Sequence, residues 1–368
     1  MNGNHRHRPD YLLIFVTVAL LAIGVVMVYS SSAVKALLEF DDPYHYLKLQ
    51  LVWAALGIGT MLAAMNFDYT RLHPWAKPIL YLALVLLVLV KIPGVGKEVN
   101  GAVRWIGLGP LSLQPSEVIK LAMVIFLARI LAGQPEKIKY FIRGLLPPLG
   151  LLGLVAVLIM LQPDLGTTLA IAGTTFMMLI GAGARWGHIA ALASAGVGLV
   201  VAAIAAAPYR MNRILAYLNP WADPSGKGYQ TIHALLALGS GGLFGLGFGQ
   251  SRQKFLYLPE SHTDFIFAII GEELGILGGS VIVLLFLIFA WRGYKTAMSA
   301  PDPFACLLAV GLTSMVVIQA GLNIGVVSGL LPVTGITLPF ISYGGSSLLF
   351  TMAAVGVLLN ISRFTVDK

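Results

Sequence analysis

The stretch LPESHTDFIFAIIGEELG places a carboxylate, Asp264, at the start of a strongly apolar run. Burying a charge in a membrane segment is costly, so an ionisable residue there is by default a hypothesis of function. The alternative is that Asp264 caps the helix that follows, because Asp is a preferred N-cap residue. Glu260 precedes it in the same motif, whereas Glu272 and Glu273 lie two helical turns deeper and are interpreted as structural.

Two further motifs contain ionisable residues expected near the same membrane face. In QPDLGTT, Asp164 precedes a helix, and a turn with a helix cap is its alternative role. Asp164 and Asp264 could act together as acid and base, or could bind a divalent cation such as Mg²⁺ or Mn²⁺ through their oxygens. In LQPSEVIKLA, Glu117 and Lys120 are three residues apart on a helix and are expected to form a structural ion pair. Lys120 could still direct its ammonium group toward an anionic ligand.

Cationic residues gather in the segments expected on that face. They are Arg104, Arg210, Arg213, Lys227 and Lys254. Arg210 and Arg213 are three apart in PYRMNR, so a helix would present both guanidinium groups on one face, suited to a diphosphate. Anchoring to anionic headgroups is the alternative for each cation. Because so many cations accompany acidic residues, the pattern favours a bound polyanion. The candidates for substrate binding are Arg104, Lys120, Asp164, Arg210, Arg213, Lys254 and Glu260.

The elements that must position these residues are membrane helices. Of the 368 residues, 58% are hydrophobic and only 11% are charged, which is too few for the surface of a soluble domain of that size. Runs of about 20 apolar residues, enough to cross a hydrocarbon core of roughly 30 Å, predict ten spans. They lie near 11–31, 47–65, 78–92, 115–132, 145–161, 165–184, 187–206, 264–290, 304–328 and 340–361. The predicted fold is an all-α polytopic integral membrane protein with a single transmembrane domain over 1–368.

The distribution of Lys and Arg predicts the orientation, because short loops rich in these residues stay in the cytoplasm. With both termini inside, most of them fall on the cytoplasmic side, including Arg6, Lys139, Arg292 and Lys368. The long loop at 207–263, between the seventh and eighth spans, is then extracytoplasmic and is expected to contain short amphipathic or re-entrant helices. Its glycine-rich part, GSGGLFGLGFGQ, is interpreted as flexible.

Several function classes find no support in the sequence. The formal net charge of +8 follows largely from the cytoplasmic bias, and no zinc pattern or aromatic and basic module accompanies it, so no nucleic-acid partner is expected. GLGFGQ lacks the GxxxxGK[ST] pattern, so no nucleotide is expected, and no haem either. Cys306 is the single cysteine, which excludes an internal disulfide framework. Ser261 and His262 lack a nucleophile elbow, so a Ser/His/Asp triad is not indicated.

Five motifs that together extend over nearly the whole chain resemble one known family. They are RWIGLGPLSLQPSE, QPDLGT, PYRMNRILAYLNPWADPSGKGYQ, LPESHTDFIFAIIGEELG and LPFISYGGSS. On these motifs the chain is identified as a member of the SEDS family (shape, elongation, division and sporulation proteins). The stretches NPWADP and QKFLYLPESHTDFIFAIIGEELG resemble its division and sporulation branch more closely than its elongation branch.

The resemblance implies an inverting peptidoglycan glycosyltransferase with ten transmembrane helices in the bacterial cytoplasmic membrane. Its substrate would be lipid II, an undecaprenyl-diphosphate-linked disaccharide peptide, polymerised into β-1,4 glycan strands on the outer face. The essential aspartate of the family corresponds to Asp264, which is then the expected general base, with undecaprenyl diphosphate as the leaving group. The resemblance also implies a class B penicillin-binding protein as partner, besides the membrane lipids.

Two other functions compete with glycosyl transfer. A lipid II flippase would also need a cation-lined groove, and a scaffold of the division machinery would need no catalysis. The polar residues are expected on one side rather than near the membrane midplane, and no inverted repeat is visible, which favours the enzyme over a transporter. A scaffold would leave the carboxylate of Asp264 without a purpose.

Overall fold

The computed structural model describes residues 7–99, 102–108 and 111–365, and α-helices dominate this part of the chain. Each of the ten predicted spans coincides with a helix, so the predicted all-α polytopic fold is confirmed. Arg6 and Lys368, which the charge distribution assigns to the cytoplasmic side, lie outside the described residues. The helices are α1 (Tyr11–Phe40), α2 (His45–Asn66), α3 (Leu72–Leu89), α4 (Pro115–Ala132), α5 (Leu146–Met160), α6 (Leu165–Gly181), α7 (Trp186–Ala205), α8 (Pro208–Leu218), α9 (Tyr229–Gly241), α10 (Ile266–Met298), α11 (Pro303–Val327) and α12 (Gly345–Ser362).

The helices differ in how they meet the membrane. Among the described residues, eight helical segments are long and apolar enough to cross it. They are α1, α2, α3 together with the turn before it (Tyr69–Leu89), α5 together with the turn before it (Phe141–Met160), α7, α10, α11 and α12. Helix α6 is apolar but shorter. Helix α4 contains Glu117 and Lys120, which are buried together with most of its other side chains. Surrounding helices therefore keep these charges away from lipid, as polar groups at membrane depth require.

Burial separates the centre of the bundle from its periphery. Helices α11 and α12 are apolar and buried on most sides, whereas α7 is apolar and almost entirely exposed. A helix that is apolar all round belongs either in a core or in lipid. Helices α11 and α12 therefore form the packed centre, and α7 is a peripheral helix that faces lipid on most sides.

Polar contacts define two opposite ends of the bundle. At one end, Arg292 forms an ion pair with Asp10 (Nη2 to Oδ2, 2.6 Å), which joins the C-terminal part of α10 to the start of α1. The backbone N–H of Asp10 donates to Ser362 Oγ, so the end of α12 lies there too. The turn that precedes α10 and the start of α12 lie at the other end, where the side chain of Ser342 bonds the carbonyl of Thr263.

A small antiparallel sheet occupies the segment between α3 and α4. It consists of β1 (Gly96–Val99), β2 (Ala102–Leu108) and β3 (Leu111–Leu113) in the order β1-β2-β3. No strand was predicted in this segment from the sequence. Short strands satisfy its backbone groups while keeping the connection compact, and they place Arg104 on the central strand.

Helix α10 is interrupted at Gly275, whose φ of 69° and ψ of −169° are accessible to glycine but not to other residues. The interruption separates Glu272 and Ile276, which would otherwise share a helical hydrogen bond. The glycine-rich segment after α9 replaces that bond: the carbonyl of Glu272 accepts from the N–H of Leu246, and the N–H of Ile276 donates to the carbonyl of Gly242. The next helical pair is satisfied in the same way.

This arrangement corrects the interpretation of the glycine-rich segment as flexible. A side chain at Gly241 would overlap the backbone of Gly271, and one at Gly245 would overlap the backbone of Glu273. Gly245 also has a φ of 83°. The glycines are therefore needed because two backbones pack directly against each other, and not because the loop must move.

The interruption predicts a sharp difference between two substitutions of glycine by alanine. Gly275→Ala should lower the thermal unfolding midpoint in detergent by at least about 2 °C, because strained backbone of this kind costs about 1–3 kcal/mol. Gly239→Ala is the matched control: it lies in α9 with open space around the added methyl group, and alanine favours helix. Equal midpoints for the two variants would contradict the role assigned to Gly275.

Candidate active site

Asp264 lies in the turn that leads into α10, and its backbone is held by two other parts of the chain. The three successive carbonyls of 262–264 each accept a hydrogen bond. In chain order, the donors are the backbone N–H of Tyr343 (2.9 Å), the hydroxyl of Ser342 (2.6 Å) and the side-chain amide of Asn323 (2.8 Å). The position of Asp264 is therefore set by α11 and by the segment that precedes α12.

Helix α11 contributes two polar side chains one turn apart, Gln319 and Asn323. Besides binding the turn, the amide of Asn323 donates to the carbonyl of Ile336 (2.6 Å). Gln319 donates to the carbonyl of Thr337 (3.0 Å), and its amide oxygen accepts from Lys120 Nζ (2.6 Å). The two side chains thus connect the turn before α10, the irregular segment after α11, and α4.

The side chain of Asp264 does not cap α10. The N-cap position is occupied by Phe265, and no side chain there accepts a hydrogen bond from the first turn. As a whole residue Asp264 is half-buried, and a methyl group added at Gly335 would lie 3.4 Å from its Oδ2. The capping alternative is therefore wrong for Asp264, because its carboxylate is not used as a helix cap.

The surroundings of Asp264 favour its neutral form more strongly than water does. Asp264 precedes the first residue of α10, and burial of its carboxyl in protein raises its pKa from the usual range to about 7. The negative charges of Glu260 and Asp164 add to the increase, while the positive charges of Arg104 and Arg213 oppose it. A carboxylate with a pKa near neutrality is a much better proton acceptor than an ordinary aspartate.

Asp164 and Arg104 connect the small sheet to the turn between α5 and α6. The guanidinium of Arg104 donates to the carbonyls of Gln162 (2.8 Å) and Pro163 (2.6 Å). Asp164 caps α6, because its carboxylate accepts from the backbone N–H (3.0 Å) and the hydroxyl (2.8 Å) of Thr167. The alternative role proposed for Asp164, a turn with a helix cap, is thus present, while its charge still acts on Asp264.

Arg210 and Arg213 lie on α8, but their side chains bind different parts of the protein. Arg210 donates to the carbonyl of Ala203 at the end of α7 (2.8 Å), and Arg213 donates to the carbonyl of Val333 (3.1 Å). These positions do not support the prediction that both guanidinium groups bind one diphosphate. Arg213 is near enough to Asp264 for its charge to lower the pKa of that carboxyl.

Lys120 and Lys254 are both buried in ion pairs. Lys120 Nζ lies 2.8 Å from Glu117 Oε2, which confirms the predicted pair in α4. Lys254 Nζ lies 2.9 Å from Glu273 Oε1 and also donates to the carbonyl of Gly249 (2.7 Å). These positions do not support a role for the two lysines in substrate binding, because a buried ion pair leaves little of the positive charge for a ligand.

Glu272 and Glu273 hold the segment that follows the glycine-rich loop. The carboxylate of Glu272 accepts hydrogen bonds from the hydroxyl of Ser251 and from the backbone N–H groups of Arg252 (2.9 Å) and Gln253 (3.3 Å). Glu273 accepts from the backbone N–H of Ser251 (3.3 Å). Both glutamates are structural, as interpreted from the sequence, and their partners are nearby backbone groups, the hydroxyls of Ser251 and Ser30, and Lys254.

A group of aromatic side chains lies next to the turn before α10, and it was not predicted from the sequence. The rings of Tyr46 and His262 are 4.7 Å apart, and those of Tyr46 and Tyr343 are 5.1 Å apart. Burial lowers the pKa of His262 to about 4, an effect that Lys35 reinforces and Glu260 opposes. His262 is therefore a neutral ring at neutral pH. Tyr343 belongs to LPFISYGGSS, so that motif contained the signal for this group.

The metal prediction finds limited geometric support. Within the described ranges, no group of three or more His, Cys, Asp or Glu residues is arranged to hold a metal ion. Asp164 and Asp264 are near enough for one charge to influence the other, but two carboxylates alone make an incomplete site for Mg²⁺ or Mn²⁺. A divalent cation that needs substrate oxygens to complete its coordination stays a prediction.

Comparison with known proteins identifies the family. The model of a family described as "Cell cycle protein", which covers FtsW, RodA and SpoVE, matches residues 11–367. The chain is similar to stage V sporulation protein E of Bacillus subtilis, with 52% identity over 97% of this chain and 98% of that protein. It is also similar to a probable peptidoglycan glycosyltransferase FtsW of Geobacter metallireducens, with 44% identity over 98% and 96% of the two chains.

Solved structures agree with these relatives. A chain from a structure titled as the structural coordination of polymerization and crosslinking by a peptidoglycan synthase complex superposes with a TM-score of 0.81, at 32% identity over 98% of this chain and 99% of that one. The rod shape determining protein RodA of Thermus thermophilus gives a TM-score of 0.72, at 32% identity over 98% of both chains. The chain therefore belongs to the FtsW, RodA and SpoVE family, within its division and sporulation branch.

Proposed function

We propose that this multi-pass membrane protein is a peptidoglycan glycosyltransferase that polymerises lipid II into β-1,4 glycan strands. The main observation is Asp264, a half-buried residue that is fixed through its backbone and whose carboxyl has a pKa raised by burial to about 7. Relatives of similar length that are named as peptidoglycan glycosyltransferases support the same reaction. A carboxylate in this state is suited to accept a proton from a sugar hydroxyl.

In the proposed reaction, the 4-hydroxyl of the acceptor GlcNAc attacks C1 of the donor MurNAc. Asp264 takes the hydroxyl proton as the new C–O bond forms, and undecaprenyl diphosphate leaves with the electron pair of the bond that breaks. Attack from the face opposite the leaving group inverts the α-linkage to β. One base is sufficient, because diphosphate leaves without protonation when cations stabilise its developing charge.

Arg104 and Arg213 are the cations best placed for that stabilisation. Their charges already act on Asp264, so an anion bound between them lies near the carboxylate. A bound diphosphate offsets these two positive charges and adds negative charge of its own. The pKa of Asp264 should then rise further when the donor binds, which strengthens the base in the complex that reacts.

A lipid II flippase is not favoured by the relatives, which are named as glycosyltransferases. The positions of the polar groups also support the enzyme. Asp264, Arg104 and Arg213 lie at one end of the bundle, whereas a transporter site is expected near the membrane midplane with access from both sides.

We propose that the active end faces outward, with both termini in the cytoplasm, because the charge distribution along the chain favours it. In a Cys306→Ser background, a cysteine at Lys227, which is exposed in the long loop, should react with an impermeant maleimide on intact cells. A cysteine at Lys139, exposed at the opposite end, should react only after the membrane is permeabilised. The reverse pattern would overturn the orientation.

The experiment that tests the proposed function is polymerisation of lipid II by the purified chain, alone and with its proposed class B penicillin-binding protein. Support for this partner comes from the synthase complex whose title names both polymerization and crosslinking. Asp264→Asn should reduce glycan synthesis by at least about 10²-fold, which is the usual contribution of a general base. Thermal stability should be kept, because the backbone of residue 264 supplies the bond to Asn323.

Asp164→Asn is the matched control. It removes a second carboxylate at the same end, while asparagine still caps α6, so the rate should fall far less than for Asp264→Asn. Loss of activity to the same degree in both variants would favour the alternative in which the two carboxylates work as an acid and base pair. Polymerisation by Asp264→Asn at more than about a tenth of the normal rate would exclude Asp264 as the base.

The pKa of Asp264 predicts how the rate depends on pH. A base must be ionised, so kcat/KM should increase with pH and reach half its maximum near pH 7. Arg104→Gln removes a positive charge that favours the carboxylate, so the midpoint should move to higher pH whatever happens to the absolute rate. Lys139→Gln, at the opposite end of the protein, should leave the midpoint unchanged. A midpoint near pH 4, or one that Arg104→Gln does not move, would contradict this account.

A further inference from the structure

A basic cavity lies at the end of the protein opposite Asp264. It has a volume of about 430 Å³ and lies between α3, the end of α4 and the connection to α5. Helix α4 runs between the two ends: at its start the backbone N–H of Gln114 donates to Ser346 Oγ near the active end, and its last residues line the cavity. The cavity is therefore separate from the proposed active site by the length of α4.

Four cationic side chains line this cavity, and little opposes their charge. They are Lys77, Arg129, Lys137 and Arg143. No carboxylate lines it in the described part of the chain. The nearest acidic residue in sequence, Glu136, is paired with Lys139 at 2.9 Å and is not a partner of the lining lysines.

Of the four cations, Arg129 has a structural partner. Its guanidinium donates to the carbonyls of His73 (2.9 Å) and Pro74 (3.3 Å), which fixes the wall formed by the start of α3. The other three cations are exposed and form no ion pair among the described residues. Their charges are therefore available to an anion.

The walls and rim of the cavity are apolar. Phe126 and Ile130 of α4 line it beside the cations. Tyr140, Phe141 and Ile142 are exposed in the short segment next to it, and aromatic side chains at a helix end are typical of the depth where lipid headgroups lie. A ligand that fits here combines an anionic group with hydrocarbon chains that continue along the outside of the bundle.

We propose that this cavity binds the phosphodiester headgroup of an anionic phospholipid. A volume of about 430 Å³ is in the usual range for small ligands. Guanidinium and ammonium groups are the usual partners of phosphate, and juxtamembrane cations attract anionic lipids. The proposal concerns a site distinct from glycosyl transfer and does not depend on it.

The test measures lipid binding to the purified full chain by native mass spectrometry, with phosphatidylglycerol and phosphatidylcholine of equal acyl chains. The normal chain should bind phosphatidylglycerol about tenfold more tightly. The triple variant Lys77→Gln, Lys137→Gln, Arg143→Gln should lose most of this preference, because it removes the three unpaired charges. The thermal unfolding midpoint of each variant in phosphatidylcholine checks that the variant is folded. The single variant Lys137→Glu, which reverses one exposed charge, should also weaken the preference for phosphatidylglycerol.

The matched control is the triple variant Arg71→Gln, Lys139→Gln, Arg363→Gln. It removes three positive charges from the same end of the protein, none of which lines the cavity, and should keep the preference within about twofold. An equal loss in both triple variants would mean that diffuse charge attracts the lipid, and would overturn the site. Displacement of the bound lipid by millimolar inorganic phosphate would assign the cavity to a free anion instead and overturn the lipid proposal.

Discussion

The structure depends on one constraint: where an irregular segment is buried among membrane helices, its backbone groups must find partners inside the protein. Three segments depart from helix in this way, namely the turn before α10, the break inside α10, and the stretch between α11 and α12. Each is satisfied by another part of the chain, through Asn323 and Ser342, through the glycine-rich segment, and through Gln319. The position of Asp264 follows from this requirement, because its backbone carbonyl is one of the groups that need a hydrogen-bond partner inside the protein.

In the same arrangement, the backbone of Asp264 fixes its position, whereas its side chain determines its reactivity. Its backbone carbonyl is held by the amide of Asn323, while its carboxylate is not used as a helix cap. Burial alone would favour the neutral acid, and cations alone would favour an ordinary carboxylate of low pKa and weak basicity. The balance between burial and the charges of Arg104 and Arg213 leaves the pKa near neutrality, where both protonation states are accessible.

The features that could be predicted from sequence were the local ones. Apolar runs predicted ten spans, each of which coincides with a helix. A spacing of three residues predicted the ion pair of Glu117 with Lys120, and residue preference predicted the cap at Asp164. The pairing of Lys254 with Glu273 depends on how the glycine-rich segment folds back onto α10, which no spacing rule describes. The break at Gly275 was also missed, because glycine is common inside membrane helices and does not by itself mark an interruption.

The interruption of α10 has a mechanical consequence for the enzyme. The glycine-rich loop is bonded to the backbone on both sides of Gly275, and the turn ahead of α10 is bonded to α11. Beyond these contacts α10 continues as a long helix with many exposed apolar side chains. Membrane helices change their tilt when the thickness of the bilayer changes. A change in the tilt of this long segment therefore acts first on the glycine-rich loop, whereas the turn that contains Asp264 is held separately by α11.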